Sequence, residues 1–373
     1  MNKENNDIAL FKKTISSMVI RKISYYRVIV SLCLFMFLLS PVFGDEISAV
    51  SFDKELPENN IVTIQPDSLR ILHNPLTGWV LYASMGVDAA DFWAQYDHMY
   101  IPELGHNVSV TDYAHTLYIR ASWTDFNPQE DVYGWKIDSN LRAYIEGAYQ
   151  RNMRLAFRVV VDSRDKRTEF TPQFVKDAGA KGFMNKGKWS PYSDDSVFQK
   201  YYTKFVKTLA KDFNDPSKVE FIDGFGLGKW GEYHTMIYST GDDTPKKAVF
   251  DWVTDIYSQA FDKVPVVINY HRWIGAGKDW VDDEHFAADS EEMLEEAIKK
   301  GYSLRHDAFG MTTYYGSWER RFAKKYRNIC PIIMEGGWIV KSHSYWQDTR
   351  GYRKDSHEDV RSGEFDDSKE AHV

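Results

Sequence analysis

Leu155-Ala-Phe-Arg-Val-Val-Val161, then Val197, Tyr201, Phe205, Leu209 and Phe213, then Val219-Glu-Phe-Ile-Asp-Gly-Phe225: between residues 155 and 225 the chain spells strand, helix, strand. The two flanking runs are nearly continuous and apolar, as strands buried on both faces should be. The middle set recurs every fourth residue, which predicts one buried helix face. A strand returned to its neighbour through a helix is the unit of a parallel sheet.

The same alternation extends both ways. Upstream lie Trp79–Ala83 and Thr116–Ile119; downstream lie Val264–Asn269, Leu304–Met311 and Pro331–Met334, seven predicted strands in all. Helical stripes fall between them at Leu141, Ile145, Ala148 and Tyr149, at Val249, Trp252, Val253, Ile256 and Ala260, and over 291–300 and 317–326. An open doubly wound sheet gives the same alternation. Against it, no glycine-rich turn follows the first strand, and polar or aromatic residues follow nearly every strand, as they do where a barrel builds its site at the C-terminal face. The chain reads as an α/β protein, a (β/α)8 TIM-type barrel.

Three segments are predicted: 1–44 a signal peptide, 45–70 a lead-in, and 71–373 the barrel. Lys3, Lys12, Lys13, Arg21, Lys22 and Arg27 precede the apolar run Val28–Leu39, and small Gly44 marks the cleavage point. A membrane anchor is the alternative, but the run is shorter than the roughly 20 residues that span a bilayer. Export to the periplasm or beyond follows. Only Cys330 lies past the cleavage point, so the core must be hydrophobic rather than disulfide-stapled. The net charge of −8 argues against nucleic acid or anionic lipid as partner. Twelve tryptophans suit a large core and also suit sugars, whose C–H faces stack on aromatic rings. No cofactor or metal is called for: the histidines lack HExxH-type spacing, and no phosphate loop or GxSxG elbow occurs.

Two glutamates sit where chemistry is expected. Glu232 lies just beyond the fourth strand, in Gly224-Phe-Gly-Leu-Gly-Lys-Trp-Gly-Glu-Tyr-His234; Glu335 ends the seventh, in Ile332-Ile-Met-Glu-Gly-Gly-Trp338. Strand ends four and seven face each other across an eight-stranded mouth. Glycoside cleavage needs two such groups, an acid to protonate the leaving oxygen and a carboxylate to attack carbon or activate water. The acid needs burial or a negative neighbour to keep its proton. Trp230, Tyr233 and Trp338 are candidate stacking walls. Arg120 is placed to orient Glu335 and hold it ionised by charge. Asp162, Arg164, His234, Asn269, His271, Arg305, His306, Asp307, Tyr314 and Tyr315 complete the candidate substrate-binding set. A structural pairing with an arginine is the alternative for each glutamate, and a barrel-mouth salt bridge the alternative for Arg120.

At these residues the sequence resembles the large clan of retaining barrel glycosidases that includes β-galactosidases and cellulase-like enzymes. The resemblance covers roughly residues 70 to 340. Arg120-Ala-Ser-Trp123, with Asn127-Pro128-Gln-Glu130 and Tyr133-Gly134-Trp135-Lys136, looks like the clan's strand-two stretch and adds Trp123 to the binding set. The clan's acid/base follows strand four and its nucleophile strand seven, which match Glu232 and Glu335. The Gly228–His234 stretch is similar to exported bacterial barrels of the DUF4832 type. One departure matters: the clan places an Asn, which binds the sugar 2-hydroxyl, immediately before the acid/base, and here Gly231 stands there.

The resulting expectation is a retaining glycoside hydrolase acting on an oligo- or polysaccharide. A non-catalytic glycan-binding barrel and an exported scaffold protein are the alternatives. The oligomeric state is not legible. After Glu335 the chain is charged and aromatic from Lys341 to Glu364, and a helix cap appears at Asp366-Asp367-Ser368. An eighth strand is therefore expected to be missing, as in a truncated chain.

Overall fold

The computed structural model describes residues 78–83, 85–102, 104–162, 168–277, 284–309, 315–336 and 366–372. The signal and lead-in predictions lie outside these residues, as do Arg164, Tyr314 and Trp338.

Seven strands form one parallel sheet: β1 Trp79–Ala83, β2 Ala114–Ser122, β3 Arg154–Val160, β4 Val219–Asp223, β5 Val266–Asn269, β6 Ser303–Phe309 and β7 Ile332–Gly336. Neighbours in the sheet follow one another in unbroken sequence order from β1 to β7. A doubly wound sheet reverses its strand order partway; this one never does. The winding is that of a (β/α)8 barrel. The sheet curls, because Arg158 on β3 bonds Asp307 on β6, three strands away.

Six helices return the chain: α1 Ala89–Asp97, α2 Ser139–Gln150, α3 Ser196–Phe213, α4 Lys246–Ala260, α5 Glu284–Lys299 and α6 Ser317–Tyr326. Aspartates start three of them. Asp88, Asp138 and Asp195 accept from the backbone N–H of Ala90, Leu141 and Phe198 at 2.8, 2.7 and 2.9 Å, satisfying donors that the first turn leaves open. Among the described residues no helix is long and apolar enough to cross a membrane.

The main core lies between sheet and helices. On α3 the buried face is Phe198, Tyr202, Phe205, Val206, Leu209 and Phe213, whereas Val197 and Tyr201 are only partly buried. The predicted stripe drifts off this face because steps of four residues overshoot a 3.6-residue turn by about 40° each. Two small antiparallel hairpins, Met99–Ile101 with His106–Val108 and Gly182–Asn185 with Lys188–Pro191, are inserted in the loops after β1 and β3. Neither they nor α1 were legible.

Strands β1 and β7 are the sheet's two edges, and among the described residues no eighth strand joins them. The stretch Lys341–Glu364 lies outside those residues. Helix formation after Asp366 holds over 366–371.

Candidate active site

Alternation along a strand sends every second side chain inward. One inward layer is apolar: Tyr118 of β2, Ala156 of β3, Phe221 of β4 and Val267 of β5 pack together, with Ile333 of β7 against them. Two residues further along come Arg120, Arg158, Asp223, Asn269 and Glu335, joined by Arg305 and Asp307 of β6. The barrel interior thus changes from hydrocarbon to charge within one step toward its C-terminal mouth.

Arg158 is fully buried and joins three carboxylates. Its Nε lies 2.7 Å from Asp223 Oδ2, its Nη2 2.7 Å from Asp307 Oδ1, and its Nη1 3.4 Å from Glu232 Oε1. Arg305 mirrors it, contacting Asp307 and Glu335 directly and Asp223 Oδ2 at 3.4 Å through Nε. Tyr118 donates to Asp223 Oδ2 at 2.9 Å, and the Asn269 amide donates to Asp307 Oδ2 at 2.5 Å. A buried charge left unpaired is costly, so this lattice holds its members in place mutually.

Glu232 arrives on the loop after β4. That loop turns back on itself: Tyr233 N–H bonds Leu227 O at 2.9 Å, and Lys229 N–H bonds His234 O at 3.1 Å. Only glycine fits at 226, where a Cβ would lie 1.9 Å from Val159 O at φ +68. At Gly231, also at positive φ, a Cβ would press on Gly226, Val160 and Arg158 at 3.3–3.4 Å. The position of the clan's Asn is therefore packed against β3. Trp230 and Tyr233 adopt φ of 59° and 61°, unusual for such side chains.

The Glu232 carboxylate meets donors on both oxygens, Arg158 on Oε1 and His234 Nε2 on Oε2 at 3.2 Å. His271 Nε2 donates to the Glu232 carbonyl at 2.8 Å, its tautomer set by Trp273 N–H on Nδ1 at 3.2 Å. Burial alone pushes the Glu232 carboxyl up, but the His234 hydrogen bond with the Arg158, His234 and Arg120 charges outweighs it, and the group is held well below the usual carboxylate range. This runs against its expected role as the proton-holding acid. Glu335 moves the other way: burial and the Glu232 charge raise it, against the pull of Arg158 and Arg120.

Arg120 does not bond Glu335 as expected. Its guanidinium donates to Trp230 O at 2.8 Å and to Tyr82 OH at 3.3 Å, and reaches both glutamates only by charge. The guanidinium in contact with Glu335 is that of Arg305. Asn269 bonds Asp307, His234 bonds the Glu232 carboxylate and His271 its carbonyl, so the four lie within the same lattice. Trp230 is half-buried beside them, its ring 5.7 Å from His234. Asp162 stands at the rim, 3.4 Å from Ser190 Oγ. Trp123 is a correction: it is completely buried on the outer side of the sheet among Phe174, Phe198, Tyr202 and Phe205, where no sugar reaches it. Tyr233 is likewise sealed between Phe225 and Phe250, so it forms no stacking wall. Tyr315 is buried against Tyr270 and His306. The sequence reading missed Arg158, Asp223 and Tyr118. A signal was present in Arg158, the one charge within the apolar run Leu155–Val161.

No protein-family model matches the chain, and no curated protein matches it. Solved structures similar to it include the intracellular xylanase of Thermoanaerobacterium saccharolyticum, at 9% identity and a TM-score of 0.36 over 71% of this chain and 88% of that one. An exo-β-1,4-mannosidase of Opitutaceae bacterium strain TAV5 matches at 11% identity and a TM-score of 0.38, over 71% of this chain and 55% of the other. Endo-glycoceramidase II of Rhodococcus sp. matches at 12% and 0.38, over 67% and 68%.

Proposed function

We propose that this chain is an exported, barrel-borne glycoside hydrolase that cleaves O-glycosidic bonds of an oligo- or polysaccharide by a two-carboxylate, retaining route, with Glu232 and Glu335 as the working pair. One observation carries the reading: the two glutamates, over 100 residues apart in sequence, meet one arginine lattice at the C-terminal mouth, and their proton affinities are driven in opposite directions. Environments that split two carboxyls in this way mark an acid and its ionised partner. Asn269, Asp307, His234, His271 and Trp230 would line the sugar. The likeness of Gly228–His234 to exported DUF4832-type barrels belongs to this proposal, as does cleavage after Gly44. A secreted chain whose N-terminal sequence begins near Asp45 supports export, and one starting at Met1 in membranes refutes cleavage.

The test is turnover on a panel of aryl glycosides and plant and host glycans. Glu232→Gln and Glu335→Gln each abolish turnover while sugar binding largely survives, since an amide keeps the shape but neither transfers a proton nor attacks. Retention of most activity by either variant removes that residue from the pair. A glycan-binding barrel is the second reading, favoured by the arginine on each glutamate. It predicts binding without turnover in the unmodified chain.

A further inference from the structure

We propose that Glu319, a residue of α6 outside the sheet, is a positioning residue for Glu232 and acts on it through Arg272 and His271. The inference rests on the reading of Glu232 as a working carboxylate and deepens it.

Glu319 lies in the first turn of α6, on a helix whose Trp318, Phe322, Ala323 and Tyr326 are buried, and it is itself fully buried. A charge in such a place is costly unless donors surround it. Three donors meet it. Gly316 N–H donates to Oε2 at 2.9 Å, the Arg272 guanidinium donates to Oε2 at 2.7 Å through Nη1, and the Arg272 backbone N–H donates to Oε1 at 3.3 Å. Capping its own helix accounts for the first bond and needs no burial. The other two reach across to the loop after β5 and grip one residue there by main chain and side chain together. Arg272 is pinned further by the neighbouring indole, its guanidinium 3.9 Å from the centroid of the Trp273 ring.

Arg272 separates the two residues that fix a histidine. Trp273 N–H donates to His271 Nδ1 at 3.2 Å, and His271 Nε2 donates to the Glu232 carbonyl at 2.8 Å. A neutral imidazole has one proton for two nitrogens, so the first bond selects the tautomer that makes the second possible. The same two loops are joined twice more, by Gly275 N–H to Tyr233 O at 2.7 Å and by Met236 N–H to Ala276 O at 2.9 Å. The loop after β5 is thus the backing of the loop that carries Glu232. That loop needs a backing: Trp230 and Tyr233 hold φ of 59° and 61° on either side of Glu232, a conformation that persists only where the surroundings over-determine it. The Glu232 carbonyl belongs to the peptide that joins Glu232 to Tyr233. A hydrogen bond to it fixes ψ of Glu232, and so the direction in which the side chain leaves the loop.

Nitrogen-15 NMR of the full chain, labelled at the histidine rings, reads this relay at its middle. The signals lost in His271→Gln assign the ring. In the wild type Nε2 carries the proton and Nδ1 is bare, which gives two widely separated shifts. Glu319→Gln keeps the size but removes the charge that grips Arg272, and the two shifts draw together as the tautomers mix. A Glu319 that serves only the stability of α6 would lower the urea midpoint and leave the His271 shifts in place; that result overturns the proposal. If Glu319→Gln does not fold, Glu319→Met combined with Arg272→Met leaves neither charge buried alone, and an unchanged His271 ring in that pair overturns the proposal equally. These readings need no turnover, so a chain that shows them but is inactive on every glycan refutes the glycosidase reading and leaves the relay standing. Where turnover exists, Glu319→Gln lowers kcat about tenfold or more, since slight misplacement of a catalytic group costs up to about 100-fold. Combined with His271→Gln, it costs no more than His271→Gln alone. Additive losses would mean that Glu319 does not act through His271, and they overturn the proposal.

Discussion

The two faces of the sheet solve opposite problems. Outside, between strands and helices, Trp123 is packed by Phe174, Phe198, Tyr202 and Phe205. Inside, above a thin apolar floor, Arg158 is packed by Asp223, Asp307 and Glu232. Each central side chain is completely buried. Hydrophobic packing is non-directional and tolerates exchange of similar shapes. A buried ion lattice is directional, and each member is stable only while its partners are present. The outer layer supports the fold; the inner one specifies positions at the mouth.

The largest expected effect puts that contrast to direct test. Trp123→Ala and Arg158→Ala should each cost about 3–5 kcal/mol in urea unfolding, the first through a cavity, the second through carboxylates left buried without a partner. The milder pair separates the layers. Trp123→Phe should recover much of the loss, whereas Arg158→Met, though it fills space, should recover little, because Asp223 and Asp307 still lack their cation. Equal recovery on both faces would mean that the inside tolerates exchange as the outside does.

A smaller effect comes from pH. His306 lies on the helix-facing side of β6, between Tyr270 and Tyr315, with ring centroids 5.0 and 4.8 Å away. Burial, with His271 and Arg272 nearby, drives its pKa well below the ordinary histidine value, against the pull of Glu232. The unfolded chain then binds a proton near pH 6.5 that the folded chain refuses, so stability is present above that pH and is lost as pH falls toward the folded-state pKa. The slope for this one group is at most about 1.4 kcal/mol per pH unit. Unfolding midpoints at pH 7.5 and 5.5 should diverge in the wild type and converge in His306→Phe. Replacing an outer-layer aromatic that does not titrate, as in Trp123→Phe, should leave that divergence unchanged.

The same contrast explains what the sequence revealed. Parallel strands covered on both faces are short apolar runs, so all seven were legible, and the long helices were legible by their stripes. A continuous apolar run hides its parity, however. Nothing in Leu155–Val161 says which residues point inward, so Arg158 passed unnoticed although its charge was the one irregularity. Trp123 failed for the related reason that a strand-end aromatic faces either side. It opens the helical turn Trp123–Phe126, which carries it outward onto α3. The helix α1 buries only Ala89, Phe92 and Trp93, too few to set a period. Glu232 and Glu335 were legible as strand-end carboxylates, but their proton affinities come from burial and from groups the fold gathers around them: His234, Arg158 and Arg120 at Glu232, the Glu232 charge and the opposing Arg158 and Arg120 at Glu335.

The smallest expected effect repeats the inner motif where water reaches it. Lys204 on α3 lies between Glu130 and Asp131 at 3.1 and 2.8 Å, one cation shared by carboxylates, as Arg158 is. Here the side chains are 45%, 47% and 63% exposed rather than buried. Water solvates each charge when its partner is gone, and holding a long lysine in one rotamer costs entropy that offsets the attraction. Salt screens what is left. Lys204→Ala should therefore leave the urea midpoint within experimental scatter of the wild type at physiological ionic strength, with any difference vanishing in 1 M salt. A loss approaching that of Arg158→Ala would show that the count of ion pairs, rather than their burial, sets the stability of this chain, and the division between the two faces of the sheet would fall with it.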